Sequence, residues 1–131
     1  MSEKPLVHVR AGGLSGDTAQ SEGMRRVAAI SHRTAGSSGI WMGLTYVDPG
    51  CSSAPHDHGH SETSIYVVSG TPAFSFRDDA GDIVTLRATP GDFIYVPPHA
   101  PHVESNPGDE VAVVVIARTT DEAIVNNLDA L

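Results

Sequence analysis

The feature that most limits the fold of this chain is the even spread of its turn-forming residues. Thirteen glycines and nine prolines are distributed through 131 residues, which suits many short strands rather than helices. Between these breaks apolar and polar residues alternate, as in Phe74, Ser75 and Phe76, and this period of two is typical of strands with one buried face. We predict eight strands, at Arg25–Ile30, Ile40–Asp48, Ser64–Ser69, Ala73–Arg77, Ile83–Arg87, Phe93–Val96, His102–Ser105 and Val111–Arg118.

The order of these segments indicates an all-β architecture, either a closed barrel or a double sheet. Val111–Ala117 is apolar on both faces, so we expect a central strand that is covered on both sides. Thr119 is followed three residues later by Glu122, a capping-box pattern that predicts a short C-terminal helix over 119–131. The small, polar residues before the first strand read as an N-terminal arm within 1–37.

Composition excludes several classes of partner. Sixteen acidic residues against eight basic ones give a net charge of −8, which disfavours nucleic acids and anionic lipid surfaces. The longest wholly apolar run, Val111–Ala117, is far too short to cross a membrane as a helix. A single cysteine, Cys51, excludes an intramolecular disulfide. The charged N-terminus has no apolar signal segment, so we expect a cytoplasmic protein with neither nucleic-acid nor membrane partners.

Histidines mark the candidate site. Five of the seven lie at positions 56, 58, 60, 99 and 102. Alternation along a strand places His56 and His58 on one face, where two imidazoles can reach one metal ion. His102, from the proline-rich turn, would add a third imidazole, and Glu62 a carboxylate. Such a mixed nitrogen and oxygen set binds a divalent ion, Fe, Zn, Mn or Ni, without selecting one of them.

Two motifs give the chain its resemblance to the cupin family. The first reads Gly50-CSSAP-His56-Asp57-His58-GHS-Glu62-TSIYVVS-Gly70. The second reads Gly91-DFIYV-Pro97-Pro98-His99-Ala100-Pro101-His102-VES-Asn106. The resemblance implies one domain over 1–131, a double-stranded β-helix (jelly-roll) barrel with its core at about 38–118, and a metal held by His56, His58, Glu62 and His102.

The chain departs from the family pattern at two positions. Glu62 precedes Gly70 by seven intervening residues rather than six, so Thr63 occupies the register where the usual glutamate points inward. Either a bulge turns Glu62 into the barrel, or three histidines form the site with Thr63 beside them. We favour Glu62, because hydroxyls are poor ligands for divalent metals. His99 replaces the usual glycine, so its turn either avoids positive φ or stores strain.

Other side chains near the motifs are weaker candidates. His60 and His99 are either outer groups around the metal, such as proton shuttles, or rim residues. Thr63, Phe93 and Tyr95 are candidate substrate contacts, although aromatic residues in a small barrel more often fill its core.

The resemblance implies two classes of function. The first is a metalloenzyme acting on a small metabolite, by dioxygenase chemistry with iron or by isomerase or lyase chemistry with zinc, nickel or manganese as a Lewis acid. The second is a non-catalytic cupin that binds a small molecule. The resemblance and the two-faced apolar strand at Val111–Ala117 also predict a homodimer.

Overall fold

The computed structural model describes residues 5–20, 23–120 and 124–131. The regular secondary structure of these residues is almost entirely β, with one 3-10 turn at Ala11–Gly13 and one helix, α1, at His32–Ala35. The strands are β1 (Met24–Ile30), β2 (Trp41–Val47), β3 (His56–Asp57), β4 (Thr63–Ser69), β5 (Ala73–Arg77), β6 (Ile83–Arg87), β7 (Phe93–Val96), β8 (Val103–Ser105), β9 (Ala112–Arg118) and β10 (Asn126–Asn127). All eight predicted strands are confirmed, and no strand end differs from its predicted position by more than one residue.

The strands form a jelly roll of antiparallel sheets. The largest has five strands in the order β1-β2-β9-β4-β7, the second has the order β6-β5-β8, and β10 pairs with β3. The predicted central strand is confirmed as β9, in which Ile116 lies between Gly43 of β2 and Ile65 of β4. Crossing order of this kind is typical of double-sheet β-barrels. None of the helices in the described ranges is long and apolar enough to span a membrane.

Alternation places the core on the inner face of the large sheet. The main cluster consists of Ala28, Trp41, Ile65, Val67, Phe74, Ala88, Val96, Val114 and Ile116. Gly43 is needed beside Trp41, because a Cβ there would lie 2.6 Å from the indole Cη2 atom. The outer face of β9 is only partly covered within this chain, since Val113 and Val115 are half-buried and Ala117 is exposed. Cover on both sides of this strand is therefore not supplied by the described residues alone.

The predicted C-terminal helix is wrong over the described residues. Asn126 and Asn127 pair with Asp57 and His56 as a short antiparallel strand, and the Leu128 N–H donates to the Pro55 carbonyl at 2.7 Å. Glu122, one of the two residues of the capping signal, lies outside the described residues. The physical reason is that a short isolated helix is marginal on local signals alone, whereas the free edge of β3 gains main-chain hydrogen bonds from the returning segment.

The helix that does form, α1, was not predicted from the sequence. The Ser31 hydroxyl accepts from the Thr34 N–H, and the Thr34 hydroxyl accepts from the Ser31 N–H at 2.9 Å, so the two residues form a capping box. Gly36 ends the turn with φ +75°, the left-handed conformation that glycine adopts without a steric cost.

Candidate metal centre

Three buried histidines converge at one end of the barrel. His56 lies in β3, His58 directly follows it, and His102 precedes β8. The ring of His102 has its centroid 4.4 Å from that of His56 and 5.1 Å from that of His58. The two histidine-bearing motifs are joined by the main chain itself, because the His56 N–H donates to the His102 carbonyl at 3.0 Å and the reverse bond measures 2.9 Å.

Main-chain carbonyls orient all three rings. The Nδ1 atoms of His56, His58 and His102 lie 2.8, 2.7 and 2.9 Å from the carbonyl oxygens of Ala54, Ile124 and Ala100. Because a carbonyl only accepts, each Nδ1 carries a proton, and in the neutral ring Nε2 then keeps its lone pair. The Nε2 atoms of His56 and His102 are buried, and the described residues give them no hydrogen-bond partner. This is the arrangement of metal-binding histidines whose orientation is fixed from behind.

Glu104 of β8 supplies a carboxylate to the cluster. It is 2% exposed, and its carboxylate and the three imidazoles offer ligand atoms that all lie within 4.8 Å of one another. Its Oε1 is 3.6 Å from His102 Nε2, which is too long for a hydrogen bond. Burial by itself raises the pKa of Glu104, but the imidazole of His102 and the charge of Arg26 outweigh it and hold the pKa at about 2. The carboxylate is therefore ionised and available to a cation.

The imidazoles of His56 and His58 are neutral at physiological pH. Burial, followed by the neighbouring His102, lowers the pKa of His56 to about 4. Burial, followed by the positive charge of Arg118, lowers the pKa of His58 to about 3. Neutral imidazole is the form that binds metals. The three histidines and Glu104 thus fit a divalent cation, with three nitrogen donors and one hard oxygen donor.

The structure does not bring Glu62 to the three histidines. Its side chain is exposed and accepts a hydrogen bond from the Tyr95 hydroxyl at 2.7 Å, and its N–H donates to the Thr119 hydroxyl. β4 begins at Thr63, which faces inward opposite Val96 and Arg118. Alternation then turns the preceding residue outward. The placement agrees with the alternative in which Thr63, not Glu62, takes the inward register.

Glu104 was missed in the sequence because the motif pattern drew attention to a carboxylate after the first pair of histidines. The sequence does contain a signal for Glu104, since His102 and Glu104 are two residues apart and both lie in the predicted strand His102–Ser105. Residues at that separation share one face of a strand.

The remaining candidates do not belong to the cluster of three histidines and Glu104. His60 and His99 are exposed. His99 does adopt positive φ, at 60°, and its N–H donates to the Gly59 carbonyl at 2.7 Å, which ties the second motif to the first. Phe93 is 74% exposed on the outer face of the sheet, and Tyr95 is exposed beside it. The hydroxyl of Thr63 is buried and has no hydrogen-bond partner among the described residues.

An apolar cavity reaches the metal cluster. It measures about 470 Å³ and extends from His102 between the two sheets, a size typical of small-molecule sites. Its other principal lining residues are Phe74, Leu86, Ile94, Val96 and Ala100. Tyr95 and Arg77 also line this cavity.

Comparison with known proteins agrees with this fold and site. The family model described as "Cupin domain" matches residues 43–118, and the chain belongs to the cupin family. It is a cupin with a histidine and glutamate cluster that can hold a metal ion.

Similar solved structures include oxalate decarboxylase from Bacillus subtilis, at 28% identity and a TM-score of 0.73, which covers 86% of this chain and 29% of that one. An oxalate oxidase in complex with glycolate is 16% identical, with a TM-score of 0.72, 86% of this chain covered and 59% of that one, and shows the fold alone. Germin-like protein 5-1 from Oryza sativa subsp. japonica is 26% identical over 105 residues, 79% of this chain and 48% of the relative. The chain thus spans less than two thirds of the length of each of these relatives.

Two carboxylates can be compared directly for metal binding. We expect Glu104→Gln, which keeps the shape and removes the charge, to raise the Zn²⁺ dissociation constant at least about tenfold. Glu62→Gln is the matched control and should leave the constant unchanged. Competition against a chromophoric chelator measures both, and circular dichroism checks that each variant folds. Loss of affinity in Glu62→Gln but not in Glu104→Gln would contradict the assignment.

The buried imidazoles make the stability of the metal-free protein depend on pH. The pKa values of His56 and His58 lie below the unfolded value of 6.5, so the unfolded chain takes up protons first as pH falls. The contribution of these two histidines to the free energy of unfolding is complete above pH 6.5 and is lost progressively from there down to about pH 3. Denaturant unfolding at pH 7.5 and 4.5 should show a loss of a few kcal/mol.

The controls for this pH dependence are two further histidine variants. The loss between pH 7.5 and 4.5 should be smaller in His58→Gln and unchanged in His60→Gln, which alters an exposed ring. A free energy of unfolding that stays constant over this range in the parent protein would refute the explanation.

Proposed function

We propose that this protein is a mononuclear metalloenzyme that acts on a small metabolite held in the cavity beside His102. The observation that carries the proposal is the cluster of three backbone-anchored imidazoles and Glu104 at the end of an apolar cavity of about 470 Å³. A metal cluster with only a structural role does not need a cavity beside it, whereas a catalytic cluster requires access for the substrate.

A bound metal ion supplies one of two chemistries here, oxygen activation by iron or Lewis-acid polarisation of a carbonyl by zinc, manganese or nickel. The residues of the chain prepare the site for either. Main-chain carbonyls fix the orientation of the His56, His58 and His102 rings in the absence of a metal ion. The apolar walls exclude water around the reacting groups, which strengthens electrostatic interactions within the site. Similarity to an oxalate decarboxylase supports an enzymatic role.

The first experiment is elemental analysis of protein purified without an affinity tag or chelator. We expect near-stoichiometric metal in the parent protein and none in His58→Ala or His102→Ala, while the β-rich circular dichroism spectrum persists in both variants. The metal found then selects the assay, oxygen consumption for iron, and isomerase and lyase panels for zinc, nickel or manganese.

Two outcomes would contradict the proposal differently. Protein that binds no metal even after anaerobic reconstitution would remove the metal centre altogether. Stoichiometric metal without turnover across these panels would favour the second function class, a non-catalytic cupin that binds a small molecule.

The free thiol of Cys51 fits a reducing compartment and supports a cytoplasmic location.

We also propose that the protein is a homodimer in which a second copy covers the outer face of the five-stranded sheet. Tyr66, Val68, Phe93 and Tyr95 are exposed together on β4 and β7, and the rings of Tyr66 and Phe93 pack 4.8 Å apart. An exposed apolar patch of this kind is more typical of an interface than of a free surface.

Light scattering tests the dimer. We expect a mass about twice the 13.7 kDa of the chain at micromolar concentration, and a monomer for Phe93→Glu, because burying a new charge in the interface is unfavourable. Ile83→Glu is the matched control, since Ile83 is 57% exposed on the smaller sheet. A parent protein that runs as a monomer would exclude this interface.

A further inference from the structure

Two buried arginines share the barrel interior with the metal cluster. Arg26 on β1 is 1% exposed and Arg118 at the end of β9 is 3% exposed. Arginine is almost never buried to this degree unless its charge is paired. None of the three histidines and Glu104 forms a hydrogen bond with either guanidinium group, so the burial of both arginines requires a separate explanation.

The guanidinium groups have few partners. Arg118 lies over the indole of Trp41, with its Cζ atom 4.9 Å from the ring centroid. All three of its guanidinium nitrogens are buried, and the described residues supply no hydrogen-bond acceptor for them. The same is true of Nε and Nη1 of Arg26, whose Nη2 reaches only the sulfur of Met24 at 3.8 Å. Buried donors of this kind are costly unless an acceptor is present.

Two hydroxyls accompany the arginines. Thr63 is the strand neighbour of Arg118 across the β4–β9 pair, and Thr45 is the neighbour of Arg26 across the β1–β2 pair. Both hydroxyls are buried without a hydrogen-bond partner in the described parts of the chain. Each guanidinium thus has an inward-facing hydroxyl beside it on the neighbouring strand.

Charge in the interior is unbalanced toward the positive. Among the buried residues that the structure describes, Glu104 is the one carboxylate facing the two guanidinium groups, and its charge acts on both. A metal ion on the neighbouring cluster would add further positive charge. Both guanidinium groups act electrostatically on the cluster, since the charge of Arg118 lowers the pKa of His58 and the charge of Arg26 lowers that of His56. A buried net positive charge is unfavourable without a counter-charge.

We propose that Arg118 and Arg26 form an anion-binding subsite beside the metal cluster, and that it receives the carboxylate of the substrate. The planar guanidinium edge presents two parallel N–H donors that match the two oxygens of a carboxylate. In the metal-free protein the two arginines and Glu104 leave one positive charge unmatched, and one bound carboxylate neutralises it. The substrate class rests on the proposed metalloenzyme, whereas anion binding does not.

Acetate and its neutral isostere acetamide are suitable probes. We expect calorimetric titration to show acetate binding to both zinc-loaded and chelator-stripped protein, and no binding of acetamide to either. Arg118→Met should weaken acetate binding at least tenfold, and Arg118→Lys should weaken it less, with the zinc content unchanged in both. Thr63→Val provides a second variant if Arg118→Met does not fold, with an expected weakening of several-fold.

The outcomes separate the subsite from the metal centre. Acetate binding that requires zinc and is unaffected in Arg118→Met and Thr63→Val would overturn the proposal, as would equal binding of acetamide. Inorganic phosphate binding more tightly than acetate would overturn the assignment to a carboxylate. Zinc-free protein that still loses acetate binding in Arg118→Met would support the subsite even if the metalloenzyme proposal fails.

Discussion

The main-chain pair between His56 and His102 is the constraint on which the rest of the site depends. Its two hydrogen bonds, of 3.0 and 2.9 Å, join segments that are far apart in sequence and place two imidazoles with their ring centroids 4.4 Å apart. Because adjacent positions along a strand alternate in direction, this single pairing also decides that His58 and Glu104 point to the same interior. A slip of one residue would turn His56 and His58 to the opposite face from His102 and Glu104 and so divide the cluster into two pairs.

The C-terminal segment completes the arrangement from the other side. Its pairing with β3 carries the Ile124 carbonyl to 2.7 Å from His58 Nδ1. The rings of His56 and His102 are oriented locally, because each contacts the carbonyl of a residue only two positions earlier, Ala54 and Ala100 respectively. The ring of His58 is instead oriented by the distant carbonyl of Ile124. The C-terminal segment, which was predicted to be a helix, is therefore held by strand pairing and orients His58 as a candidate metal ligand.

The sequence predicted the strands, the jelly roll and the three histidines, because each of these depends on local alternation or on motif spacing. The carboxylate could not be decided in the same way. Glu62 and Glu104 are both near histidines in sequence, and only the register of β4, with Thr63 inward, separates them. The C-terminal helix was wrong for a related reason, since a capping signal reports local preference whereas the edge of β3 is a tertiary feature. Buried Arg26 and Arg118 gave no sequence signal, because charged residues in strands are usually solvated.

The central claim is that one metal ion is held by three histidines and Glu104. Anomalous diffraction from zinc-soaked crystals tests it most directly. The account predicts one strong peak at about 2.0–2.2 Å from the Nε2 atoms of His56, His58 and His102 and from a carboxylate oxygen of Glu104. A peak beside Glu62, or crystals with no anomalous peak among the histidines, would contradict it.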